Sequence, residues 1–181
     1  MSQLKKPGLL QGNRPILRAF AIFTLSIAVF FIILMSHVLD KYFVYPFTVL
    51  VVKTTSVILD TVGYDTSVKG TVLKTPDASL NIGTGCNGLE AVIIFVSAIL
   101  AFPANLKNKL VGLLLGFLGI YIINQTRVIG LFFVNSYASE HLELAHTYIG
   151  QTYVIISGVI LWIVWAERFS RDGKKAVNPA A

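Results

Sequence analysis

The chain has 181 residues, of which 55% are hydrophobic and only 13% are charged, and its mean hydropathy is +0.72. Soluble domains carry about 25% charged residues, so this composition excludes an ordinary soluble protein and indicates an integral membrane protein. The net charge of +6 does not indicate a nucleic-acid partner, because the basic residues stand mainly in short clusters beside apolar runs, as they do in membrane proteins.

The first apolar run, residues 19–39, predicts a membrane-spanning helix, since about 20 apolar residues cross a bilayer. No small-residue cleavage site follows it, so we expect it to stay as an anchor rather than to be removed as a signal peptide. Residues 42–62 are also apolar, but Pro46, Lys53 and several hydroxyl side chains interrupt them. Because a charge facing lipid is costly, this segment is predicted to be an amphipathic helix at the interface or packed on the bundle.

Residues 63–85 predict a small extracytoplasmic cap. They are rich in β-branched side chains and are punctuated by Gly70 and by the pair Pro76-Asp77. This pattern is typical of a β-hairpin or of two extended strands. The cap leads directly into Cys86, the only cysteine of the chain, which excludes an intrachain disulfide.

Three further apolar runs, residues 88–103, 110–134 and 147–166, bring the predicted number of membrane crossings to four. The predicted fold class is therefore an all-α polytopic membrane protein, with about four transmembrane helices, one interfacial helix and a β-hairpin-like cap. The sequence shows no internal repeat, so residues 1–181 are expected to form a single membrane-embedded domain.

Lysine and arginine predict the orientation, because they are enriched on the cytoplasmic side. Ten of them flank the four predicted crossings on one side, namely Lys5, Lys6, Arg14, Arg18, Lys107, Lys109, Arg168, Arg171, Lys174 and Lys175. The loop 135–146 on the other side has none. We therefore expect a protein of the cytoplasmic membrane with both termini cytoplasmic, comprising an N-terminal segment 1–17 and a basic tail 168–181.

This topology places three reactive side chains at one depth. Cys86 begins the second crossing on the outer side and His146 begins the fourth. Arg127 follows Leu110, at the cytoplasmic start of the third crossing, by seventeen residues, which is about 25 Å of helix. The three residues are thus predicted to meet near the outer interface.

The chemistry of these residue types points to acyl transfer through a thioester. A cysteine thiolate is a nucleophile, and cationic neighbours favour its formation. An imidazole can take the thiol proton and return it to a leaving amine. Arginine cannot act as a base, but it can hold a substrate carboxylate or stabilise an oxyanion. This scheme requires no metal and no organic cofactor.

Neighbouring residues support this candidate site. Gly88 is one of three glycines around Cys86 that permit a tight turn. Asn124 lies one turn before Arg127, where it can orient the guanidinium or contact substrate. Glu90 lies one helical turn after Cys86 and is expected to pair with Arg127, since an acidic group within a span needs a partner. His141, in the outer loop, is the second candidate for the base.

Each residue also has a purely structural interpretation. A lone cysteine is commonly a small buried apolar residue, and arginine or histidine near a helix end commonly extends to the lipid headgroups. A non-enzymatic transporter subunit or assembly factor, with Arg127 and Glu90 as a structural or proton-relay pair, is therefore a second hypothesis. A third is a phosphatase or lipid-modifying enzyme that uses Arg127 and His146 on a headgroup.

The motifs CNGLEA at Cys86, NQTR ending at Arg127 and HTYIG at His146 resemble, in this order, those of the exosortase/archaeosortase family. The match covers residues 42–165, and Asn87 and Gly88 belong to its first motif. The small size is similar to the compact subfamily called exosortase H. Many family members have about eight spans, so four is a departure from the larger pattern.

This resemblance implies a membrane-embedded cysteine peptidase or transpeptidase that acts on exported proteins. Family substrates end in a short motif, a transmembrane helix and a basic cluster. By position, Cys86 would be the nucleophile, Arg127 the oxyanion or substrate-positioning group, and His146 the acid and base. The implied partners are therefore exported proteins with a C-terminal sorting signal and the lipid bilayer, and the implied site faces the periplasm or the cell exterior.

Overall fold

The computed structural model describes residues 14–76, 78–83 and 85–169. These ranges contain five helices, α1 (Arg14–Leu34), α2 (Tyr45–Thr61), α3 (Leu89–Ala101), α4 (Leu106–Tyr137) and α5 (Gln151–Phe169). Of the predicted N-terminal segment 1–17, residues 14–17 form the first turn of α1. The rest of that segment, and most of the predicted tail 168–181, lie outside the described residues.

Two helices are extended at their N-terminal ends by short turns. The turn His37–Leu39 and the π-helical turn Asp40–Val44 lead into α2, and the backbone stays helical through Tyr45. Before α5 come a 3₁₀ turn at Ser139–His141, a turn at Leu142–Leu144 and a second π-helical turn at Ala145–Gly150. The chain therefore continues as a helix of 25 residues over His37–Thr61 and one of 30 residues over Ser139–Arg168.

Pro46 lies in the first turn of α2 and does not interrupt the helix. The N–H of Tyr45 donates to the carbonyl of Asp40, five residues earlier. This wider π-helical register gives room for the proline ring and absorbs its missing N–H group. The proline therefore marks a change of helical register rather than a break.

Helix α2 runs in the same direction as α4. The three contacts that show this join Phe47 to Phe117 (ring centroids 6.1 Å apart), Thr55 to Gln125 (2.8 Å hydrogen bond) and Tyr64, just after α2, to Phe133 (ring centroids 5.8 Å apart). Residue numbers rise together along both helices. Both therefore lead from the same face of the bundle toward the cap.

Helices α3 and α5 run opposite to α4 and pack on a stripe of glycines. A Cβ atom placed on Gly116 would overlap the ring of Phe95 in α3, and one placed on Gly112 would overlap Trp165 in α5. Gly119 makes the same kind of close approach to α5. Small residues let helix backbones approach closely inside membranes, so these glycines set the spacing of the inner half of the bundle.

The cap is an antiparallel sheet of three strands in the order β1 (Ser67–Lys69), β2 (Val72–Lys74) and β3 (Ser79–Asn81). Its inward side chains join a buried cluster with α2 and α4, formed by Val51, Val52, Leu59, Leu73, Leu80, Ile82, Cys86, Val128, Leu131, Phe132 and Ala145. Asp60 Oδ1 accepts from the backbone N–H and the hydroxyl of Thr66. The sheet is thereby fixed to the end of α2.

The predicted fold class is confirmed, since the chain is mostly helical, has four candidate spans and carries a small antiparallel sheet. By length and composition the candidates are Arg14–Leu34, His37–Thr61, Leu106–Tyr137 and Ser139–Arg168. The choice of helices differs from the sequence prediction, which counted residues 88–103 as a crossing and placed residues 42–62 at the interface or packed on the bundle. Helix α3 has only 13 residues, about 20 Å, against a hydrocarbon core of about 30 Å.

Candidate active site

Cys86 lies in a tight loop between β3 and α3. Gly85 and Gly88 on either side have φ of +87° and +84°, a left-handed conformation that glycine adopts at little cost. The N–H of Cys86 donates to the carbonyl of Gly83 at 3.1 Å, which closes the turn. The side chain is only 4% exposed.

Asn87 anchors this loop to two helices. Its Nδ2 donates to the hydroxyl of Thr48 in α2 at 2.9 Å, and its Oδ1 accepts the N–H of Leu89 at 3.1 Å. The second bond satisfies one of the free N–H groups at the start of α3, as a capping side chain does. The side chain after the cysteine therefore fixes both the loop and the first turn of α3.

Asn124 holds the loop from the side of α4. Its Nδ2 donates to the carbonyl of Cys86 at 3.1 Å. A Cβ atom on Gly88 would lie 2.9 Å from Cγ of Asn124, which is closer than two carbons approach without displacement. Gly88 is therefore required both by its backbone conformation and by the contact with Asn124.

Arg127 connects the cysteine loop to the segment that carries His146. Its guanidinium donates to the carbonyl of Gly85 at 3.0 Å and to the carbonyl of His146 at 3.3 Å. Arg127 is 5% exposed, and its Nε has no hydrogen-bond partner within the described residues. One cation thus joins the residue before Cys86 to His146 and keeps one N–H group free.

His146 lies in the π-helical turn Ala145–Gly150, a form of helix that is frequent at functional sites. Its side chain is half-buried, and the charges of Arg127 and Glu90 both act on it. A Cβ atom on Gly150 would lie 2.8 Å from Nε of Arg127. The absence of a side chain at Gly150 therefore leaves the space that the guanidinium occupies.

Glu90 does not form the expected ion pair with Arg127, so that prediction was wrong. The only ion pair among the described residues joins His141 to Glu140 at 3.8 Å. Glu90 Oε2 instead accepts from Nε2 of Gln151 at 3.4 Å. The carbonyls of Gly85 and His146 lie where a carboxylate partner of Arg127 was expected, and Gln151 supplies the partner that Glu90 needs.

The described residues hold no group of three or more histidine, cysteine, aspartate or glutamate side chains placed to bind a metal ion. Among the site residues predicted from sequence, Asn124 contacts Cys86 and Gly88, and Arg127 bonds to the carbonyl of His146. Asn87 and Glu90 bond instead to residues outside this set. His141 is exposed and faces Glu140. It takes no part in these contacts.

A comparison with known protein families shows which family the chain belongs to. Residues 9–166, which are 158 of the 181 residues, match the family model described as transmembrane exosortase (Exosortase_EpsH). The chain belongs to the transmembrane exosortase family. No curated protein and no solved structure matches it. The resemblance drawn from its motifs is confirmed, and membership implies in general terms a multi-pass membrane protein with a transpeptidase role on exported proteins.

Burial in this exosortase favours the protonated form of the Cys86 thiol. Burial raises the pKa of Cys86 above its ordinary value, and the positive charge of Arg127 lowers it by less. Desolvation disfavours the thiolate more than the nearby cation favours it. Cys86 therefore needs a proton acceptor before it can attack a substrate.

A separate cavity of the exosortase lies between α1, α3 and α5 and has a volume of about 460 Å³. Its lining includes Phe20, Phe23, Ile94, Phe95, Val159 and Trp162. This lining is apolar and includes none of the site residues. The cavity is thus distinct from the cysteine site.

Proposed function

We propose that this exosortase is a cysteine transpeptidase that cleaves the C-terminal sorting signals of exported proteins at the outer face of the cytoplasmic membrane. The contact that supports the proposal most directly is that of Arg127, which donates both to Gly85 beside the thiol and to His146. Both bonds go to backbone carbonyls, and they bring the segments that carry the thiol of Cys86 and the imidazole of His146 to the same cation. Such a set is suited to acyl transfer through a thioester.

In the proposed reaction, His146 takes the proton of the Cys86 thiol and the sulfur attacks the carbonyl carbon of the substrate peptide bond. The C–N bond breaks, and His146 returns the proton to the leaving amine of the transmembrane tail. The N-terminal part of the substrate stays on Cys86 as a thioester. An incoming amine or water then attacks this thioester and releases the thiol.

Arg127 is assigned to the oxyanion of the tetrahedral intermediate. A buried cation is unfavourable unless it meets a negative charge, and Arg127 forms no ion pair with any described residue. Its Nε–H group is buried without a hydrogen-bond partner, which supports a role toward an anion, and donors in a site closed to water stabilise such a charge strongly. Asn124 and Asn87 position the loop that carries the sulfur, and Glu90 offsets the positive charge of the imidazolium that forms.

The outer position follows from the predicted orientation, because the cap and the site lie toward the end of α4 that is remote from Lys107 and Lys109. A substrate anchored by its own transmembrane tail presents its juxtamembrane peptide bond at this height. Tethering in this way raises the effective concentration of the bond at the site. The assignment to the compact subfamily stays a prediction.

The decisive experiment compares membranes of the source organism that contain the natural chain, Cys86→Ala or Cys86→Ser. We expect exported proteins that end in an apolar helix and a basic cluster to keep this tail in both variants, as seen by mass spectrometry of their C-terminal peptides. His146→Ala should have the same effect, whereas the matched control His141→Ala should process normally. Normal processing in both cysteine variants would disprove the proposal.

The same experiment tests the other two hypotheses. The transporter or assembly-factor hypothesis relied on an Arg127–Glu90 pair, and these side chains form no ion pair. It predicts that Cys86→Ala leaves function intact while substitution of Arg127 or Glu90 does not. An enzyme acting on lipid headgroups through Arg127 and His146 should keep its activity in Cys86→Ser. A thioester on Cys86, detected by the intact mass of the chain, is expected only of the transpeptidase.

A further inference from the structure

Among the residues that the structure describes, strand β3 has one edge without a partner strand. The sheet order places β3 beside β2 only. In the β2–β3 pair, Ile82 donates to Thr71 and Thr75 donates to the carbonyl of Ala78. Backbone groups in an antiparallel pair alternate between facing the partner and facing away. The register Val72↔Asn81 and Lys74↔Ser79 therefore turns the N–H and C=O groups of Ser79 and Asn81 to the open edge.

One end of this open edge is already occupied. Asn135, on the outer end of α4, donates from its side chain to the carbonyl of Ser79 at 3.1 Å. At the other end Asn81 and Gly83 are exposed, and a Cβ atom on Gly83 would meet no atom within 4 Å, while the carbonyl of Gly83 already accepts from Cys86. Unpaired edge groups are a template for an added strand. The free stretch is therefore the part of β3 nearest to Cys86.

The open edge leads directly to the nucleophile. Cys86 follows Asn81 by five positions, and its N–H donates to the carbonyl of Gly83. The side chain of Asn81 is held within the sheet, because its Oδ1 accepts from the hydroxyl of Thr71 at 2.9 Å. An extended peptide that pairs with Asn81 would thus run alongside a fixed strand toward the sulfur.

We propose that the open edge of β3 at Asn81, beside the exposed Gly83, binds the extended segment of the substrate that precedes its transmembrane helix, as an added β-strand. This inference rests on the proposed function and identifies the backbone groups that hold its substrate. Main-chain hydrogen bonds supply affinity in such strand addition, whereas side-chain pockets supply specificity. The edge therefore accepts many sequences, provided that the segment is extended and free of proline at the paired position.

The test compares Asn81→Pro with the matched control Asn81→Ala in membranes of the source organism. Both lose the side-chain bond to Thr71, but only proline removes the N–H group that faces the open edge, a position where proline is tolerated in sheets. We expect processing of exported C-terminal tails to fall about three- to tenfold in Asn81→Pro relative to Asn81→Ala, the loss of about one hydrogen bond. Equal processing in the two variants, with Cys86→Ala inactive, would overturn the edge proposal alone.

A second measurement does not depend on the folding of the proline variant. A photo-crosslinking amino acid replaces Asn81, or the exposed Lys69 on the far strand β1 as control, in the Cys86→Ala background. We expect position 81 to capture peptides that directly precede C-terminal transmembrane helices and position 69 to capture none. Failure at position 81 overturns the inference. Normal processing by the Cys86→Ala chain itself would instead overturn the proposed function.

Discussion

At the scale of single residues, Arg127 organises the site. Its guanidinium is buried, donates to two backbone carbonyls and keeps one N–H group without a partner. Carbonyl oxygens hold a cation in place without neutralising it, so its charge stays available to a substrate. An arginine paired with Glu90 would have lost this property.

Gly150→Ala is expected to damage the site although alanine is the better helix former. The added methyl would lie 2.8 Å from Nε of Arg127 and would push the guanidinium from its position. A displacement of about 1 Å can cost about a hundredfold in rate, so processing of exported tails should fall by that order. The control Gly158→Ala lies on the same helix with no atom within 4 Å of the added Cβ. It should process normally, and equal activity in both variants would contradict this role of Gly150.

The thiol of Cys86 should alkylate faster as the pH rises. Because burial raises its pKa, the thiolate is the minor form at neutral pH. Its share grows about tenfold for each pH unit below the pKa. The rate of iodoacetamide labelling should therefore still be rising between about pH 7 and about pH 9, measured by the intact mass of the chain. A rate independent of pH over this range would mean that the thiolate is already formed.

Arg127→Gln extends this test, since it removes the charge that lowers the pKa of Cys86. The pKa should rise further, and labelling near pH 8 should slow, while Arg168→Gln, at the far end of α5, should label like the natural chain. Faster labelling of Arg127→Gln would show that the arginine restricts access more than it stabilises the thiolate.

Most residues of the candidate site could be predicted from the sequence, because chemistry and order along the chain single out Cys86, Arg127 and His146. Gln151 could not. It follows His146 by five positions, a spacing that an α-helix places on different faces. The π-helical turn Ala145–Gly150 changes this spacing and turns Gln151 toward Glu90. Neither the composition nor any motif of the sequence predicts this π-helical turn.

At the scale of elements, α2 shows why polar residues kept the sequence from predicting a membrane crossing. Thr48, Thr55 and Ser56 are buried, and the two threonine hydroxyls donate to carbonyls four residues earlier or to α4. Hydroxyls bonded within the bundle do not oppose burial in a membrane. Sequence alone shows that a side chain is polar, but not that a neighbouring helix supplies its hydrogen-bond partner. The sequence therefore left open whether this segment lies at the interface or packs on the bundle, and its contacts with α4 show that it packs on the bundle.

Thr48→Val should destabilise the cysteine loop from a distance. The substitution removes the oxygen that accepts from Asn87 and leaves a buried amide group without a partner, at a cost of about 1–3 kcal/mol. We expect a lower melting temperature in detergent and a changed rate of Cys86 labelling. Thr61→Val, at an exposed hydroxyl that bonds only its own helix, is the control. A melting temperature equal to that of the control would show that Asn87 finds another partner.

At the scale of the whole molecule, the helix directions bear on the topology. Helices α2 and α4 lead toward the cap, whereas α3 and α5 lead away from it. Lysine and arginine counts predict that both termini are cytoplasmic. If α2 crosses the membrane, as its length and composition permit, the shorter α3 must return the chain to the inner face so that α4 can start there. The two ends of the chain then lie on opposite faces. Both arguments place the C-terminus in the cytoplasm and the cap outside, but they place residue 1 on opposite faces of the membrane.

Topology reporters separate these arguments. A phosphatase reporter inserted in the cap at Gly70 should be active outside, and a fluorescent reporter at residue 181 should be active in the cytoplasm. The same pair of reporters at residue 1 then tells whether α2 crosses, because only that crossing changes the face of the N-terminus. A cytoplasmic cap would contradict the proposed location of the active site.

Helix α4 has 32 residues and is about 48 Å long, whereas the hydrocarbon core is about 30 Å thick. The cap end of this helix carries Asn135, which bonds to β3, and the same helix holds the loop of Cys86 through Asn124. Strand and sulfur are therefore fixed to one helix, which would hold both at one height above the lipid. The enzyme would select its scissile bond by distance from the membrane, so lengthening the spacer of a substrate should move the cut site along the substrate and leave its height unchanged.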